Sequence, residues 1–145
     1  MGVAIGVPPP EPADKPRLLI VDDEPDMLDF LERVLRRRFA VTRVSSADEA
    51  LRELAEADFE VLVTDQKMPR MSGLELLGRI GSRYPALVKI LLSGYTELAD
   101  IRRAVSTCGI HNYIIKPIDS RRLLVAIDDA YRVRDGAAVL QPPDQ

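Results

Sequence analysis

Short apolar runs alternate along the chain with segments in which apolar residues recur three or four positions apart. The runs at residues 18–21, 61–63 and 88–92 are of the kind that forms strands buried on both faces of a sheet. Residues 40–44 and 113–115 complete a set of five predicted strands. A segment with helical spacing follows each strand, so the pattern predicts a strand and a helix repeated five times.

Local signals mark where several helices begin. Pro25 suits the first position of the first helix, and residues 46–49 and 72–75 both have the Ser-x-x-Glu pattern of a capping box. Strands and helices that alternate through short loops predict an α/β fold with a parallel sheet covered on both faces. Right-handed crossovers favour a flavodoxin-like (βα)5 doubly wound sandwich with strand order 2-1-3-4-5.

The composition indicates one folded domain with extended ends. A chain of 145 residues with 46% hydrophobic and 30% charged residues has the balance of a globular protein. Prolines crowd the N-terminus and recur near the C-terminus. We therefore predict a disordered arm at residues 1–15, a domain at residues 16–135 and a flexible tail at residues 136–145.

Charge and cysteine content limit the kinds of binding partner and the cellular location that we expect. A net charge of −3 and a pI near 5.2 argue against direct binding of nucleic acid by this chain. No apolar run is long enough to span a membrane, and the N-terminus has no basic region of a signal peptide. Cys108 is the single cysteine, so a cytoplasmic location without structural disulfides is expected.

Polar residues follow four of the five predicted strands. Asp22 and Asp23 come after the first strand, Asp65 ends the third, Ser93 ends the fourth and Lys116 follows the fifth. In the predicted strand order these four strands are consecutive neighbours, and ligands of such sheets bind at the carboxyl ends of the strands. The five side chains should therefore surround one pocket centred on Asp65.

The residue types in this pocket suggest a chemistry. Three nearby carboxylates repel one another unless a divalent cation lies among them, and an open site of oxygen ligands favours Mg²⁺. An aspartate such as Asp65 can act as a nucleophile and become an aspartyl phosphate. Lys116 would neutralise phosphoryl charge, and the Ser93 hydroxyl could hydrogen-bond a phosphoryl oxygen.

Four motifs together resemble one protein family. Residues 18–25 read Leu-Leu-Ile-Val-Asp-Asp-Glu-Pro, and residues 61–73 read Val-Leu-Val-Thr-Asp-Gln-Lys-Met-Pro-Arg-Met-Ser-Gly. Residues 90–94 read Ile-Leu-Leu-Ser-Gly, and residues 113–117 read Tyr-Ile-Ile-Lys-Pro. In this order and spacing they resemble the receiver domain of bacterial two-component response regulators.

The resemblance implies a phosphoacceptor and a metal site. Asp65 would accept a phosphoryl group from the phosphohistidine of a sensor histidine kinase or from a small phosphodonor. Asp23 and Asp65 would bind Mg²⁺ directly, while Asp22 would contribute mainly through bound water. The backbone carbonyl of Lys67 would complete the metal ligands. Such a chain phosphorylates and dephosphorylates itself without being a turnover enzyme.

The same resemblance implies a switch. Lys116 would pair with the phosphoryl group, and the Lys116–Pro117 peptide bond would be cis. Ser93 would be the switch hydroxyl, and Tyr113 would swing inward when Ser93 moves. These shifts would reshape the face formed by the fourth helix, the fifth strand and the fifth helix. Mixed charges on that face could support a homodimer, or could form a solvated polar surface.

The downstream output stays open at this point. We expect no effector domain in the ten or so residues after Arg134, so the chain would act through a partner or as part of a longer protein. The Asp65-Gln-Lys-Met-Pro and Ser93-Gly-Tyr-Thr signatures resemble receivers that precede AAA+ activators or cyclic-dinucleotide phosphodiesterases.

Two other readings compete with a phosphorylated receiver. A pseudo-receiver would have the same fold and act as an interaction module without phosphate, but it would not need all five pocket residues. An enzyme such as an aspartyl-phosphate phosphatase, or a nucleotide-binding protein, is the other. The chain has neither a GxGxxG sequence after the first strand nor a P-loop, and it has no insertion large enough for a substrate cap.

Overall fold

The computed structural model describes residues 15–143, apart from the side chain of Ser106. Of the predicted disordered arm, residues 1–14 lie outside the described residues, as do residues 144–145 of the predicted tail. Within the described part of the chain, five strands and five helices alternate as the sequence pattern predicts. They are β1 (Arg17–Val21), α1 (Pro25–Leu35), β2 (Ala40–Val44), α2 (Ala47–Glu56), β3 (Val61–Asp65), α3 (Gly73–Ile80), β4 (Val88–Ser93), α4 (Leu98–Thr107), β5 (Asn112–Ile115) and α5 (Ser120–Arg134). A short 3₁₀ turn at Tyr95–Glu97 leads directly into α4.

The five strands form one parallel sheet in the order β2-β1-β3-β4-β5. This confirms the predicted flavodoxin-like order. The three central strands are almost entirely buried, while β2 at one edge and β5 at the other are only partly covered. Continuous apolar runs therefore mark the strands that have helices on both sides.

Alternate side chains of each central strand enter two separate cores. In β1, Leu18 and Ile20 pack with α1 and α5, whereas Leu19 and Val21 pack with α2, α3 and α4. Because successive strand residues point to opposite faces, one apolar run supplies both cores. The sheet is thus held rigidly from both sides, which fixes the positions of the residues at its carboxyl edge.

Side-chain caps start several helices. Ser72 and Glu75 form the predicted capping box at the start of α3, each accepting a backbone N–H of the other. At α2, Ser46 accepts the Glu49 N–H as expected, but the Glu49 carboxylate accepts the N–H of Ser45 instead of that of Ser46. The second half of that box is therefore displaced by one residue.

The chain continues past α5 along the body of the domain. The described part of the predicted tail contacts α4 and β5, which the sequence pattern does not indicate. None of the helices within residues 15–143 is long and apolar enough to cross a membrane.

Candidate functional site

The strand register brings the predicted polar residues to one edge of the sheet. Thr64 of β3 lies opposite Val21, so Asp22 emerges beside Asp65. Asp65 in turn lies opposite Leu92 of β4, which places Ser93 one step further along the same edge. Ser93 lies opposite Ile115, and Lys116 follows it directly. Neighbouring parallel strands thus deliver all these side chains to the same end.

Three carboxylates gather at this edge. One oxygen from each of Asp22, Asp23 and Asp65 lies within 4.8 Å of the others. Asp22 is fully buried and Asp65 is 2% exposed, whereas Asp23 is open to solvent. The cluster therefore has a buried floor and an accessible side.

Asp22 is held by only one of its carboxylate oxygens. The Glu24 N–H donates to Oδ1 at 2.9 Å, while Oδ2 is buried and has no hydrogen-bond partner among the described residues. The pKa of Asp22 is raised to about 6, mainly by burial and also by the nearby Asp65 charge, against the lowering effect of the Glu24 N–H. A buried anion with an unpaired oxygen is a position that a cation would stabilise.

Asp65 is paired with Lys116. The Lys116 Nζ lies 2.8 Å from Asp65 Oδ1, and the lysine side chain is 28% exposed. Burial raises the pKa of Asp65 above its ordinary value, although the Lys116 hydrogen bond and charge oppose that effect. Burial alone would lower the pKa of Lys116, but the hydrogen bond and charge of Asp65 together raise it. Lys116 therefore keeps its positive charge beside Asp65.

The donor set fits a hard divalent cation. It consists of carboxylate oxygens, one of them unpaired, and the site is open on the Asp23 side. Mg²⁺ binds through one or two protein carboxylates and keeps several waters, which matches a partly open cluster of this kind. Lys67 lies two residues beyond Asp65 with an exposed side chain, and the role of its backbone carbonyl stays a prediction.

Ser93 is fully buried, and among the described residues its hydroxyl bonds to Gly94 and Glu97, not to Asp65. Its hydroxyl donates to Glu97 Oε1 at 2.7 Å, and the Gly94 N–H donates to the same oxygen at 3.1 Å. Glu97 is the last residue of the 3₁₀ turn and directly precedes α4. The predicted switch hydroxyl is therefore held by the segment that starts α4.

Tyr113, the predicted aromatic switch residue, lies on β5 and is half-buried. Its ring packs against the core beneath α4, and its hydroxyl donates to the Gln141 backbone carbonyl at 3.2 Å. The tyrosine therefore joins the core to the C-terminal residues. Its place in a switch stays a prediction.

The loop after β3 is closed by residues that the sequence analysis did not single out. The Gln66 carbonyl accepts the Gly73 N–H, and the Gln66 side chain accepts the Leu74 N–H. A side chain at Gly73 would place its Cβ only 2.3 Å from the Asp65 carbonyl oxygen. Gly73 therefore lets α3 begin directly against the backbone of Asp65.

Some of these roles have a signal in the sequence and others do not. The glycine after Ser72 opens a capped helix, a position with no conformational need for glycine, and this points to a close approach. Glu97 stands four residues after Ser93, a spacing that predicts contact only where the chain is already helical. Nothing in the pattern around Gln141 indicates its contact with Tyr113.

The Lys116–Pro117 peptide bond is cis, as predicted.

The five predicted pocket residues, Ser93, Lys116 and the three aspartates, all lie at the carboxyl edge of the sheet. The structure brings Lys116 into contact with Asp65 and leaves Ser93 bound to Glu97.

Comparison with known proteins gives a consistent result. The family model of the response regulator receiver domain matches residues 18–128. Over 100 residues the chain is 44% identical to the hydrogenase transcriptional regulatory protein HoxA of Cupriavidus necator, covering 69% of this chain and 21% of that protein. It is 34% identical over 129 residues to the response regulator protein PilR of Pseudomonas aeruginosa, covering 88% of this chain and 29% of that protein. The chain spans less than a third of the length of these relatives.

Solved structures show the same architecture. A response regulator receiver domain protein from Clostridium thermocellum superimposes with a TM-score of 0.76 at 29% identity, covering 85% of this chain and 99% of that one. The signal receiver domain of an HD domain-containing protein from Pseudomonas fluorescens gives 0.76 at 30% identity, covering 84% and 98%. The matched family model spans β1 to most of α5, which includes every residue of the acidic edge. The chain therefore belongs to the response regulator receiver domain family of two-component systems.

Proposed function

We propose that Asp65 accepts a phosphoryl group from the phosphohistidine of a sensor histidine kinase, or from a small phosphodonor. The observation that carries this proposal is a nearly buried Asp65 carboxylate, 2.8 Å from the Lys116 ammonium and clustered with two further aspartates. An Asp65 oxygen attacks phosphorus, and the new P–O bond forms as the P–N bond of the donor breaks. The leaving imidazole keeps the bonding electron pair and takes up a proton.

Asp22, Asp23 and Asp65 would hold Mg²⁺ together with the Lys67 carbonyl. When bound, the ion would neutralise negative charge on the transferring phosphoryl oxygens. The unpaired Asp22 oxygen supports this assignment, because the buried carboxylate otherwise has no partner for it among the described residues. Lys116 neutralises charge on the opposite side and positions the Asp65 carboxylate for attack.

Ser93 and Tyr113 would carry the signal away from Asp65. A phosphoryl group on Asp65 offers new acceptor oxygens, and Ser93 would leave Glu97 to donate to one of them. That movement would loosen the start of α4 and change the α4–β5–α5 face. The changed face would control an effector domain or protein, or form a homodimer. The chain would act in the cytoplasm as a signalling module and not as a turnover enzyme.

The test is phosphorylation with acetyl phosphate and Mg²⁺, followed by intact-protein mass spectrometry. The wild-type protein should gain one phosphoryl group, while Asp65→Asn should gain none. Asp58→Asn is the matched control, because Asp58 precedes β3 and so lies at the opposite end of that strand from Asp65. It should be phosphorylated like the wild type.

Beryllofluoride, a stable mimic of the phosphoryl group, gives an independent measurement by NMR titration. If neither reagent changes the wild-type protein in the presence of Mg²⁺, the pseudo-receiver reading replaces this proposal. If Asp65→Asn is phosphorylated as fast as the wild type, the assignment of Asp65 is wrong.

A further inference from the structure

The chain reverses direction after α5. Gly136 adopts a positive φ of 81°, which glycine reaches without the steric penalty of a side chain. The Gly136 N–H donates to the Val133 carbonyl and the Ala137 N–H donates to the Arg132 carbonyl. These two bonds form a Schellman motif, which ends a helix and turns the following residues back along it. Residues 137–143, called the C-terminal strap below, are thereby directed towards β5 and α4.

Three contacts hold the strap on the domain. The Tyr113 hydroxyl donates to the Gln141 carbonyl at 3.2 Å, and Arg102 Nε donates to the Pro143 carbonyl at 3.0 Å. Just before these two residues, the half-buried Leu140 side chain packs against the core that α2, α3 and α4 form with the sheet. Its neighbour Val139 is 80% exposed. The strap thus offers two backbone carbonyls and one aliphatic side chain to the surface formed by α4 and β5.

Both anchors belong to parts that the proposed switch would move. Arg102 lies on α4, which starts directly after Glu97, the partner of the Ser93 hydroxyl. Tyr113 is the predicted aromatic switch residue on β5. A movement of Ser93 away from Glu97 would therefore disturb the first turn of α4, and rotation of Tyr113 would remove the Gln141 contact. The strap is thus attached to the two elements that the proposed switch would move.

The contacts that hold the strap are few. Two hydrogen bonds and one partly buried leucine stabilise its position, and the loss of conformational entropy on ordering seven residues opposes them, so a change at either anchor should release the strap. The groove between β5 and α5, lined by Arg122, Val125 and Asp129 among others, has no strap residue in its wall. The strap therefore covers only the α4 side of the face.

We propose that the C-terminal strap is a built-in ligand of the α4–β5 surface, bound in the unphosphorylated state and released when Asp65 is phosphorylated. The freed surface fits an extended peptide segment that presents an aliphatic side chain followed by two backbone carbonyls, as Leu140, Gln141 and Pro143 do. A partner or second copy that uses this surface has to displace the strap. The inference rests on the proposed function, because it takes phosphorylation of Asp65 as the trigger.

Thermodynamic linkage gives the test. If the strap binds only the inactive conformation, weakening it must raise the affinity of the protein for beryllofluoride in the presence of Mg²⁺. Leu140→Ser should raise that affinity about three- to tenfold over wild type, as measured by NMR titration. Val139→Ser is the matched control from the same segment, and it should leave the affinity unchanged because Val139 is exposed.

A second measurement follows the strap itself. In protein labelled with 3-fluorotyrosine, the ¹⁹F signal of Tyr113 should shift in Leu140→Ser and stay in place in Val139→Ser. Beryllofluoride affinities that are equal in wild type and Leu140→Ser, or lower in Leu140→Ser, would overturn the strap proposal and leave the phosphoacceptor proposal intact. Failure of the wild type to bind beryllofluoride at all would instead contradict the proposed function.

Discussion

The Asp22 carboxylate is buried with one oxygen unpaired among the described residues, close to two other carboxylates. Without a cation, this arrangement lowers the stability of the folded protein, since a desolvated anion lacks compensation. We predict that Asp22→Asn raises the free energy of unfolding by about 1 kcal/mol in the presence of EDTA. Urea denaturation monitored by circular dichroism measures this difference.

Magnesium should make the wild type more stable than Asp22→Asn, the reverse of the order expected in EDTA. The wild type should gain stability as Mg²⁺ is added, whereas Asp22→Asn should gain much less because it has lost one carboxylate of the site. Asp58→Asn serves as the control for a change of charge alone and should follow the wild type under both conditions. A loss of stability in metal-free Asp22→Asn would show that the unpaired oxygen is satisfied in solution.

Glu97 competes with a phosphoryl group for the Ser93 hydroxyl. Replacing it by alanine removes the acceptor at 2.7 Å and leaves the Ser93 hydroxyl only the longer contact to the Gly94 carbonyl at 3.3 Å. We predict that Glu97→Ala binds beryllofluoride about three- to tenfold more tightly, a change of roughly 1 kcal/mol, less than a full hydrogen bond to a charged group because the Gly94 carbonyl remains as an acceptor. Glu97→Gln keeps a neutral acceptor, so its affinity for beryllofluoride should lie between those of the wild type and Glu97→Ala. NMR titration gives the affinities.

Thr96→Ala is the control for a disturbed 3₁₀ turn. The Thr96 hydroxyl reaches only the other Glu97 oxygen, at 3.5 Å, and does not contact Ser93. Its affinity for beryllofluoride should equal that of the wild type. Weaker binding by Glu97→Ala would mean that Glu97 supports the active conformation instead of opposing it.

At the scale of elements, α3 begins against the backbone of Asp65 and tolerates no side chain there. We predict that Gly73→Ala destabilises the protein by about 2 kcal/mol or more, since its Cβ would lie 2.3 Å from the Asp65 carbonyl oxygen. The strain would reach Asp65 itself, so phosphorylation by acetyl phosphate should also slow. Urea denaturation and a phosphorylation time course measure the two effects.

The same helix supplies the control. Gly78 also lies in α3 and is exposed, and a Cβ added there would meet no neighbouring element or side chain within 4 Å. Gly78→Ala should therefore stabilise the protein by roughly 0.5 kcal/mol or more, because alanine is the better helix former. If both variants lose stability equally, the close approach at Gly73 is not the cause.

The elements were predictable because their signals are local. Buried strands such as β3 are continuous apolar runs, and the capping box of Ser72 and Glu75 lies within four residues. The shift of the Glu49 contact from Ser46 to Ser45 was not predictable, since both serines are equally suitable in sequence.

At the scale of the whole molecule, the candidate site was predictable because parallel strands end together. Asp22, Asp65 and Lys116 meet through the strand order alone. The partners of Ser93 and Tyr113 were not predictable, because they depend on a turn and on a strap that reverses through Gly136. The partner residues, Glu97 and Gln141, lie in segments whose sequence patterns indicate neither a strand nor a helix.

Two groups with shifted pKa values give the folding stability opposite dependences on pH. The pKa of His111 is lowered from 6.5 to about 4, mainly by burial and also by the charges of Lys89 and Arg134, while Asp135 opposes them. Below pH 6.5 the unfolded chain therefore binds a proton at His111 that the folded protein does not bind. The contribution of His111 to the free energy of unfolding falls as the pH drops towards 4. Asp22 has its pKa raised from 3.8 to about 6, so its contribution falls as the pH rises through 6.

In the wild type the pH dependences of stability due to His111 and Asp22 partly cancel between about pH 4 and 6. Single substitutions should separate the two contributions. His111→Asn keeps an acceptor for the Lys89 N–H, which His111 Nδ1 accepts at 2.9 Å, but it does not titrate. Its stability relative to wild type should increase by about 3 kcal/mol as the pH falls from neutral to 4. Asp22→Asn should show the opposite trend, losing its advantage over wild type as the pH falls. Urea denaturation in EDTA across this pH range measures both, and parallel curves for the three proteins would contradict the assigned pKa shifts.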